Sequence, residues 1–176
     1  MIDPAMRESS SDFTASDLPR FFDEMFQWDV NHTRERLRAA SDRINQLAAQ
    51  VPDTPRADGA WNAKEILAHI AVISRAYGVF SYLIASGRLT DLNLGDVINQ
   101  RDDEGDKYMA MSCVEIAAAA TTEHQRTLKF LDRASSDDLR RECRVEGGTI
   151  TAEYVVRLPL VAHLEAHIQQ LEVALA

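Results

Sequence analysis

One stretch of the chain places its apolar residues in a strict helical rhythm. Between residues 66 and 84 they recur at steps of four, three, four, three and four, at Ile66, Ile70, Ile73, Tyr77, Phe80 and Ile84. This heptad spacing keeps one face of a helix apolar over several turns, which is typical of the long, nearly parallel helices of a bundle. Asn62 and Glu65 form a capping-box pattern at its start, and Gly87 is placed to end it. The pattern predicts a helix that begins at Asn62 and ends at Gly87.

Three further segments repeat apolar residues every three or four positions. We expect one helix from about Leu18 to Gln50, with Asp17 as its N-cap. Another is expected from the capping box at Ser112 to about Ala134. Thr151 is placed to cap the last helix, which runs to the end of the chain. Pro159 lies inside that helix and is expected to kink it, because the proline ring removes one backbone hydrogen bond.

The apolar stripes of the first and third helices predict which side chains face the core. In the first helix the stripe extends backwards from Val30 through Phe26 to Phe22. In the third helix it starts at Val114 and includes His124. The faces opposite these stripes are expected to face solvent.

Four long amphipathic helices predict an all-α fold, a four-helix bundle with a long middle connection. Glycine (7) and proline (5) are scarce and fall mostly between the helices. The alternation of apolar and polar residues that a half-buried sheet requires is not convincing anywhere. In the middle connection, Leu92 to Gln100 has the pattern of a short helix, and a charged interruption follows at 101–106. Residues 140–150 are expected to be an extended connection that turns at Gly147.

The length of 176 residues favours one domain, which we place at residues 17–176 behind a flexible N-terminal tail at residues 1–16. Lys and Arg total 19 and Asp and Glu total 28, a net charge of −9. That balance argues against a nucleic-acid-binding surface, which needs clustered positive charge. No apolar run approaches the roughly 20 residues that span a bilayer, and residues 1–16 lack a signal-peptide pattern. We therefore expect a cytoplasmic protein with no membrane partner.

The two cysteines, Cys113 and Cys143, are too few for a disulfide framework and are compatible with a reducing cytosol. No motif pairs them or marks either as a nucleophile, and a reactive thiol needs an identifiable activating environment, so a nucleophilic cysteine is disfavoured. The chain also lacks a glycine-rich phosphate loop, a serine nucleophile elbow and a C-x-x-C pair. Nucleotide-binding, serine-hydrolase and disulfide-redox classes are therefore disfavoured.

Among the five histidines, His163 and His167 stand four residues apart on the last predicted helix. Residues at that spacing project from one face in successive turns. Glu165 lies between them in sequence but points to roughly the opposite face, so it is a poor ligand candidate. His69 lies at the rim of the apolar seam of the second helix. Three imidazoles on facing helices of a bundle can converge on one metal ion and leave coordination positions open.

Spacing alone leaves a structural alternative open. A histidine at the edge of a core is usually a hydrogen-bonded core residue, and a single HxxxH pair often arises by chance.

Two segments resemble signatures of one family, the DinB/YfiT-like superfamily. The first is Trp61-Asn-Ala-Lys-Glu-Ile-Leu-Ala-His69-Ile, and the second is Leu160-Val-Ala-His163-Leu-Glu-Ala-His167-Ile-Gln-Gln-Leu171. Their order and wide separation also resemble the family pattern, and the likeness covers most of residues 17–176. The resemblance implies a four-helix bundle with a metal site formed by His69, His163 and His167.

The resemblance also implies a chemistry. The superfamily includes metal-dependent transferases and isomerases that use low-molecular-weight thiols such as mycothiol, among them mycothiol-dependent maleylpyruvate isomerase-like proteins. We therefore expect a divalent-metal enzyme that acts on a small molecule with a thiol cofactor, and relatives of this kind are frequently homodimers. Zinc is the first choice of metal, with nickel or iron as alternatives. A metal-dependent hydrolase and a non-catalytic metal- or ligand-binding stress protein remain alternative interpretations.

Four other residues are weaker candidates for a place around the metal. Glu65 lies one turn before His69 and could orient its ring, although capping explains it equally well. Trp61 is expected to pack over the start of the second helix or to form a pocket wall. Arg101 could hold a substrate carboxylate, but acidic neighbours favour a solvated charge run. His124 could reach the metal as a fourth ligand, although a satisfied core histidine is the better interpretation.

Overall fold

The computed structural model describes residues 13–56, 59–93 and 104–176. Within them lie four long helices, α1 (Leu18–Ala48), α2 (Ala63–Ala85), α3 (Cys113–Leu131) and α4 (His163–Leu175). Shorter pieces are a 3-10 turn (Ala15–Asp17), helical residues 104–109, two short helices (Ser136–Leu139 and Ala152–Val155) and a π-helical segment (Val156–Ala162). Three short strands are β1 (Asp91–Leu92), β2 (Glu142–Val145) and β3 (Gly148–Thr151). The all-α four-helix prediction is confirmed.

The predicted caps hold for α2 and α3. The Asn62 side chain accepts from the Glu65 N–H at 3.0 Å, and the Glu65 carboxylate accepts from the Asn62 N–H at 3.0 Å. Ser112 and Glu115 make the same reciprocal pair at the start of α3. Gly87 adopts a positive φ of 72° after α2, the left-handed conformation that glycine provides at helix ends.

The predicted cap of α1 is wrong. Asp17 makes no capping hydrogen bond to α1. Its carboxylate instead accepts from the N–H of Thr14 at 3.0 Å and from the Thr14 hydroxyl at 2.8 Å. The side chain is therefore used to close the preceding 3-10 turn. The predicted tail falls mainly on residues 1–12, which lie outside the described residues.

Cross-helix contacts give the directions of the bundle. Ser74, Gly78 and Tyr82 of α2 meet His124, Thr127 and Phe130 of α3 in the same order, so these two helices run parallel. The pairs Arg36–Glu165 and Arg43–Glu172 likewise make α1 and α4 parallel. The pairs Asn45–Thr121 and Arg34–Leu131 make α1 antiparallel to α3.

A parallel α2–α3 pair requires its connection to return along the bundle, which accounts for the long segment between residues 86 and 112. In this connection Leu92 belongs to β1, and residues 104–109 are helical. The predicted short helix therefore does not begin at Leu92, Asn93 is in neither a helix nor a strand, and residues 94–100 lie outside the described residues.

The main core lies between the four long helices. Its most deeply buried large side chains come from all four long helices and from the π segment, and include Leu37, Ile44, Ile66, Leu67, Ile70, Ile116, Leu160, Leu164 and Leu171. A second cluster joins the C-terminal end of α2 to the strands and to the helix over Ala152–Val155; its buried members are Ile84, Ala85, Cys143, Ala152 and Val155. Two predicted stripe positions are wrong, because Phe22 and Val114 are 59% and 64% exposed.

A small sheet was not expected. Strands β2 and β3 form an antiparallel hairpin that pairs Cys143 with Ile150, and Gly147 takes a positive φ of 87° at its turn. The turn predicted at Gly147 is therefore present, and the extended segments on either side of it are the paired strands β2 and β3. Strand β1 adds in parallel to β2, with Asp91 opposite Arg144.

Helix α2 is long and apolar enough, by length and composition alone, to meet the usual criterion for a membrane span. Half of its most apolar window is buried inside the bundle. The central helix of a bundle has this composition because it faces neighbours on several sides. The absence of a membrane partner stays a prediction.

Candidate metal centre

Three imidazole rings from two helices come together on one side of the bundle. His69 projects from the N-terminal half of α2, and His163 and His167 project from successive turns of α4. The ring centroid of His69 lies 5.6 Å from that of His163 and 4.5 Å from that of His167. One ligand nitrogen from each ring can be chosen so that all three lie within 4.8 Å of one another. All three residues are partly buried, so part of the cluster is accessible to solvent.

Local sequence sets this convergence. The capping box at Asn62 and Glu65 fixes where α2 begins, and the buried seam at Ile66 and Ile70 fixes which face of α2 meets α4. His69 lies at the edge of that seam. On α4, buried Leu164 and Ile168 each follow a histidine by one residue and hold the helix against the core.

The contacts of His163 and His167 show which ring nitrogens face each other. Nδ1 of His167 lies 3.0 Å from the side-chain oxygen of Gln170 and donates to it. The Nε2 atoms of the two rings lie 2.8 Å apart. The two Nε2 atoms therefore face one place, where a cation could bind both rings in their neutral form.

Burial lowers the pKa of His163 below its ordinary value, and the nearby His167 lowers it further, while the nearby Pro159 backbone opposes both. A neutral ring is the form that donates a lone pair to a metal ion. The site therefore favours the ligand form of His163 at neutral pH.

The donor set fits a divalent transition metal. A tetrahedral site with Zn–N bonds of about 2.0–2.1 Å separates its ligand nitrogens by about 3.3 Å. The separations here start at 2.8 Å and do not exceed 4.8 Å, so they bracket that value. Three nitrogen ligands suit zinc, nickel and iron.

Two aromatic side chains lie beside the cluster. The Trp61 ring centroid lies 4.8 Å from that of His69 and 6.2 Å from that of His167. The Tyr77 ring centroid lies 6.3 Å from that of His163. Trp61 is 44% exposed, so its ring forms a wall that a bound molecule can touch. Trp61 was expected either to pack over the start of α2 or to form a pocket wall. In the structure its ring lies beside the histidine rings.

Glu65 and His124 each have further contacts that the structure defines. Glu65 closes the capping box and lies 3.4 Å from Arg56, which also pairs with Asp106 at 3.0 Å and so ties residues 104–109 to the start of α2. His124 lies in the α2–α3 interface and is fully buried, with Nε2 2.7 Å from the Ser74 hydroxyl. It is not a member of the three-histidine cluster. Arg101 lies outside the described residues.

Glu165 points away from the histidines, as the helical spacing predicted. Its carboxylate accepts two hydrogen bonds from Arg36 of α1, at 2.8 and 2.5 Å. Cys113 and Cys143 are buried and unpaired, and burial raises the pKa of both thiols. A raised pKa keeps a thiol protonated at neutral pH, which agrees with the prediction that neither cysteine is a nucleophile.

Sequence reasoning missed three residues around the cluster. Gln170 follows His167 by three positions, a spacing that places two side chains on one helix face and could have indicated the contact. Tyr77 was assigned wholly to the apolar seam of α2. Pro159 was expected only to kink the last helix; it lies instead inside the π-helical segment that ends directly before His163, and no sequence signal beyond the proline itself indicates that segment.

A family model described as the DinB superfamily matches residues 29–171. A crystal structure of the mycothiol-dependent maleylpyruvate isomerase has a similar fold, with a TM-score of 0.58 and 12% sequence identity. The alignment covers 83% of this chain and 59% of that one, so this chain spans about three fifths of the length of that protein. At this identity the likeness shows the fold alone. A search of curated proteins found no match.

The family match includes all three clustered histidines and most of the chain. The expected resemblance is thereby confirmed, and the chain belongs to the DinB superfamily.

Proposed function

We propose that His69, His163 and His167 hold one divalent metal ion, zinc first, and that the protein is a metal-dependent transferase or isomerase that uses a low-molecular-weight thiol of the mycothiol type. The observation that carries the proposal is the convergence of three ring nitrogens within 4.8 Å, on a partly exposed face of the bundle. Membership of the DinB superfamily supports the metal, and the isomerase with a similar fold, which is described as mycothiol-dependent, supports the thiol.

The three histidine ligands determine which chemistry the bound metal could support. A divalent ion held by three neutral imidazoles would keep its double positive charge and would lower the pKa of a thiol or a water molecule that binds beside the histidines. The side chains around the cluster have separate tasks. Gln170 accepts from Nδ1 of His167, which leaves Nε2 of that ring as the ligand atom.

The aromatic rings shape the place where a substrate would lie. Trp61 and Tyr77 stand beside different histidines, so a small molecule that approaches the cluster passes an aromatic surface. Such surfaces bind the apolar parts of small ligands and exclude water from the reacting atoms. We propose a small organic electrophile as substrate. Two buried, unpaired cysteines support a reducing compartment, so we place the protein in the cytoplasm.

The test is a two-factor assay on the zinc-loaded protein. Maleylpyruvate and a generic electrophile, 1-chloro-2,4-dinitrobenzene, are each offered with mycothiol, with glutathione or with no thiol. The proposal predicts consumption that needs both the metal and a thiol, that is abolished in His163→Ala and that persists in His32→Ala, an exposed histidine of α1. Thiol-independent hydrolysis would replace the proposal with a metal-dependent hydrolase. Tight metal or ligand binding without any product would favour a non-catalytic binding protein.

A further inference from the structure

A groove with a volume of about 590 Å³ lies between the C-terminal parts of α2 and α3. This volume is within the range of about 300–1,000 Å³ that is typical of sites for small organic molecules. The α2 wall of the groove begins at Gly78, nine residues after His69, which is about 14 Å along a helix. None of the three clustered histidines lines it. The groove is therefore separate from the candidate metal centre.

The walls of the groove are largely apolar and include two aromatic rings. Tyr82 of α2 and Phe130 of α3 meet edge to face, with ring centroids 5.9 Å apart. Val79 is 42% exposed and Tyr82 is 45% exposed, so both side chains offer apolar surface to a bound molecule. Aromatic rings favour other rings in edge-to-face and offset contacts. The walls therefore suit a ligand with an aromatic body.

Two acidic side chains line the groove, and both have positively charged partners. Glu123 forms an ion pair with Arg126 at 2.6 Å. Asp138 accepts a hydrogen bond from the Ser135 hydroxyl and pairs with Arg141 at 3.3 Å. Because each carboxylate has a cation beside it, neither contributes an uncompensated negative charge to the groove.

Lys129 and Arg133 line the same groove and have no such partners. Neither side chain makes an ion pair or a hydrogen bond with another residue in the described part of the chain. Lys129 lies in the last turn of α3, and Arg133 follows four residues later. In a chain with a net charge of −9, these two cations make the groove a local positive region.

The ends of the helices offer a structural explanation for basic residues at this place. The last carbonyls of a helix carry a partial negative charge, which attracts cations. Here two other arginines bond to such carbonyls. Arg34 donates to the Leu131 carbonyl of α3, and Arg141 donates to the Ala85 carbonyl of α2 at 2.5 Å. The side chains of Lys129 and Arg133 are therefore left to meet a negative group from outside the protein.

We propose that this groove binds an aromatic monocarboxylate, with the ring against Tyr82 and Phe130 and the carboxylate toward Lys129 and Arg133. The charge of the groove complements that of the ligand, and a guanidinium group can bind a carboxylate through two parallel hydrogen bonds. A second copy of this chain fits less well. A two-fold interface centred here would set the concave groove and its two cations against their own counterparts. The inference does not depend on the proposed metal site.

The first test is isothermal titration calorimetry of the full chain with 2-naphthoate, with and without added zinc. We expect saturable binding of one molecule per chain, with the same affinity in both conditions. The neutral analogue 2-naphthalenemethanol keeps the ring and lacks the charge. It should bind about 5- to 10-fold more weakly, because it loses two partly solvated charge contacts.

The second test changes the charge and the walls of the groove separately. Lys129→Gln with Arg133→Gln should weaken binding of naphthoate about 5- to 10-fold and leave binding of the neutral analogue unchanged. Arg20→Gln with Arg38→Gln is the matched control, because it changes the net charge equally at exposed residues outside the groove. Its affinity for naphthoate should equal that of wild type. Val79→Trp places a larger ring in the groove and should abolish binding of both molecules.

Three results would overturn the inference. The first is that wild type shows no saturable binding of naphthoate. The second is binding that requires zinc and is equal in the Lys129→Gln, Arg133→Gln variant, which would place the ligand at the histidines. The third is a wild-type dimer in light scattering that Val79→Trp dissociates, because the groove would then be an interface between copies. If Val79→Trp does not fold by circular dichroism, the comparison of the charge variant with its control decides.

Discussion

Four of the five histidines show how the surroundings of one residue type decide its role. His32 is exposed and stacks on Trp28, with ring centroids 5.4 Å apart. His163 and His167 face each other, and His124 is sealed between α2 and α3. The sequence predicted the shared face of His163 and His167 because helical spacing alone sets it. It could not predict their hydrogen-bond partners, which depend on side-chain rotamers.

His124 provides a pH-dependent contribution to stability. Burial lowers its pKa to about 4 from the ordinary 6.5. The Ser74 hydroxyl donates to the Ile70 carbonyl and so accepts from His124 Nε2, which leaves Nδ1 unprotonated. Nδ1 is buried and has no hydrogen-bond partner within the described ranges. Protonating it would place an unpaired charge in the core.

The lowered pKa of His124 determines whether the protein gains or loses stability as the pH falls. The unfolded chain binds a proton at His124 more readily than the folded chain, so the stabilising contribution is complete above pH 6.5 and is lost as the pH falls toward 4. We expect a loss of about 3 kcal/mol between pH 7 and pH 4 from this residue. Urea unfolding of wild type and His124→Gln across that pH range measures the effect as the difference between their free energies of unfolding. A difference that does not change with pH would show that His124 does not titrate as described.

At the scale of elements, the helices were predicted well where a local signal marks them. Reciprocal capping pairs at Asn62 and Ser112 placed the starts of α2 and α3 correctly because a cap is a contact within one turn. Strand β1 had no such signal, since it is two residues long and pairs with a strand about fifty positions away. The exposed Phe22 and Val114 were assigned to the core because periodicity fixes a face only within a residue or so.

The approach of α2 to α3 depends on a glycine. A Cβ atom on Gly78 would lie 2.5 Å from the Thr127 hydroxyl oxygen, and Thr127 is buried. We expect Gly78→Ala to destabilise the protein by about 1–3 kcal/mol through overpacking, although alanine favours a helix by about 1 kcal/mol. In a Thr127→Ala background the clash is removed, and Gly78→Ala should then be neutral or stabilising.

The measurement is the free energy of unfolding by chemical denaturation of wild type, Gly78→Ala, Thr127→Ala and the double variant. Gly105→Ala is a matched control, because a Cβ at this helical glycine meets nothing within 4 Å. That substitution should stabilise by up to about 1 kcal/mol. If Gly78→Ala changed the free energy of unfolding equally in the wild-type and Thr127→Ala backgrounds, the contact between residues 78 and 127 would not limit the approach of α2 to α3.

At the scale of the whole molecule, the bundle brings together residues that are nearly 100 positions apart in sequence. His69 meets His163 and His167 because α2 and α4 run in opposite directions and share the core formed by residues such as Ile66 and Leu164. The family resemblance implied this meeting; periodicity and spacing left it open. The return path of the middle connection follows from the parallel α2–α3 pair, which no local pattern in the sequence reveals.

The central claim is that three imidazoles bind one metal ion, and metal content measures it most directly. Protein is incubated with zinc, freed of unbound metal by gel filtration and analysed by inductively coupled plasma mass spectrometry, with circular dichroism to confirm the fold of each variant. We predict one zinc ion per chain in wild type and in His32→Ala, and far less than one in His69→Ala, His163→Ala and His167→Ala. Wild-type zinc content in a folded protein that carries all three alanine substitutions would contradict the account.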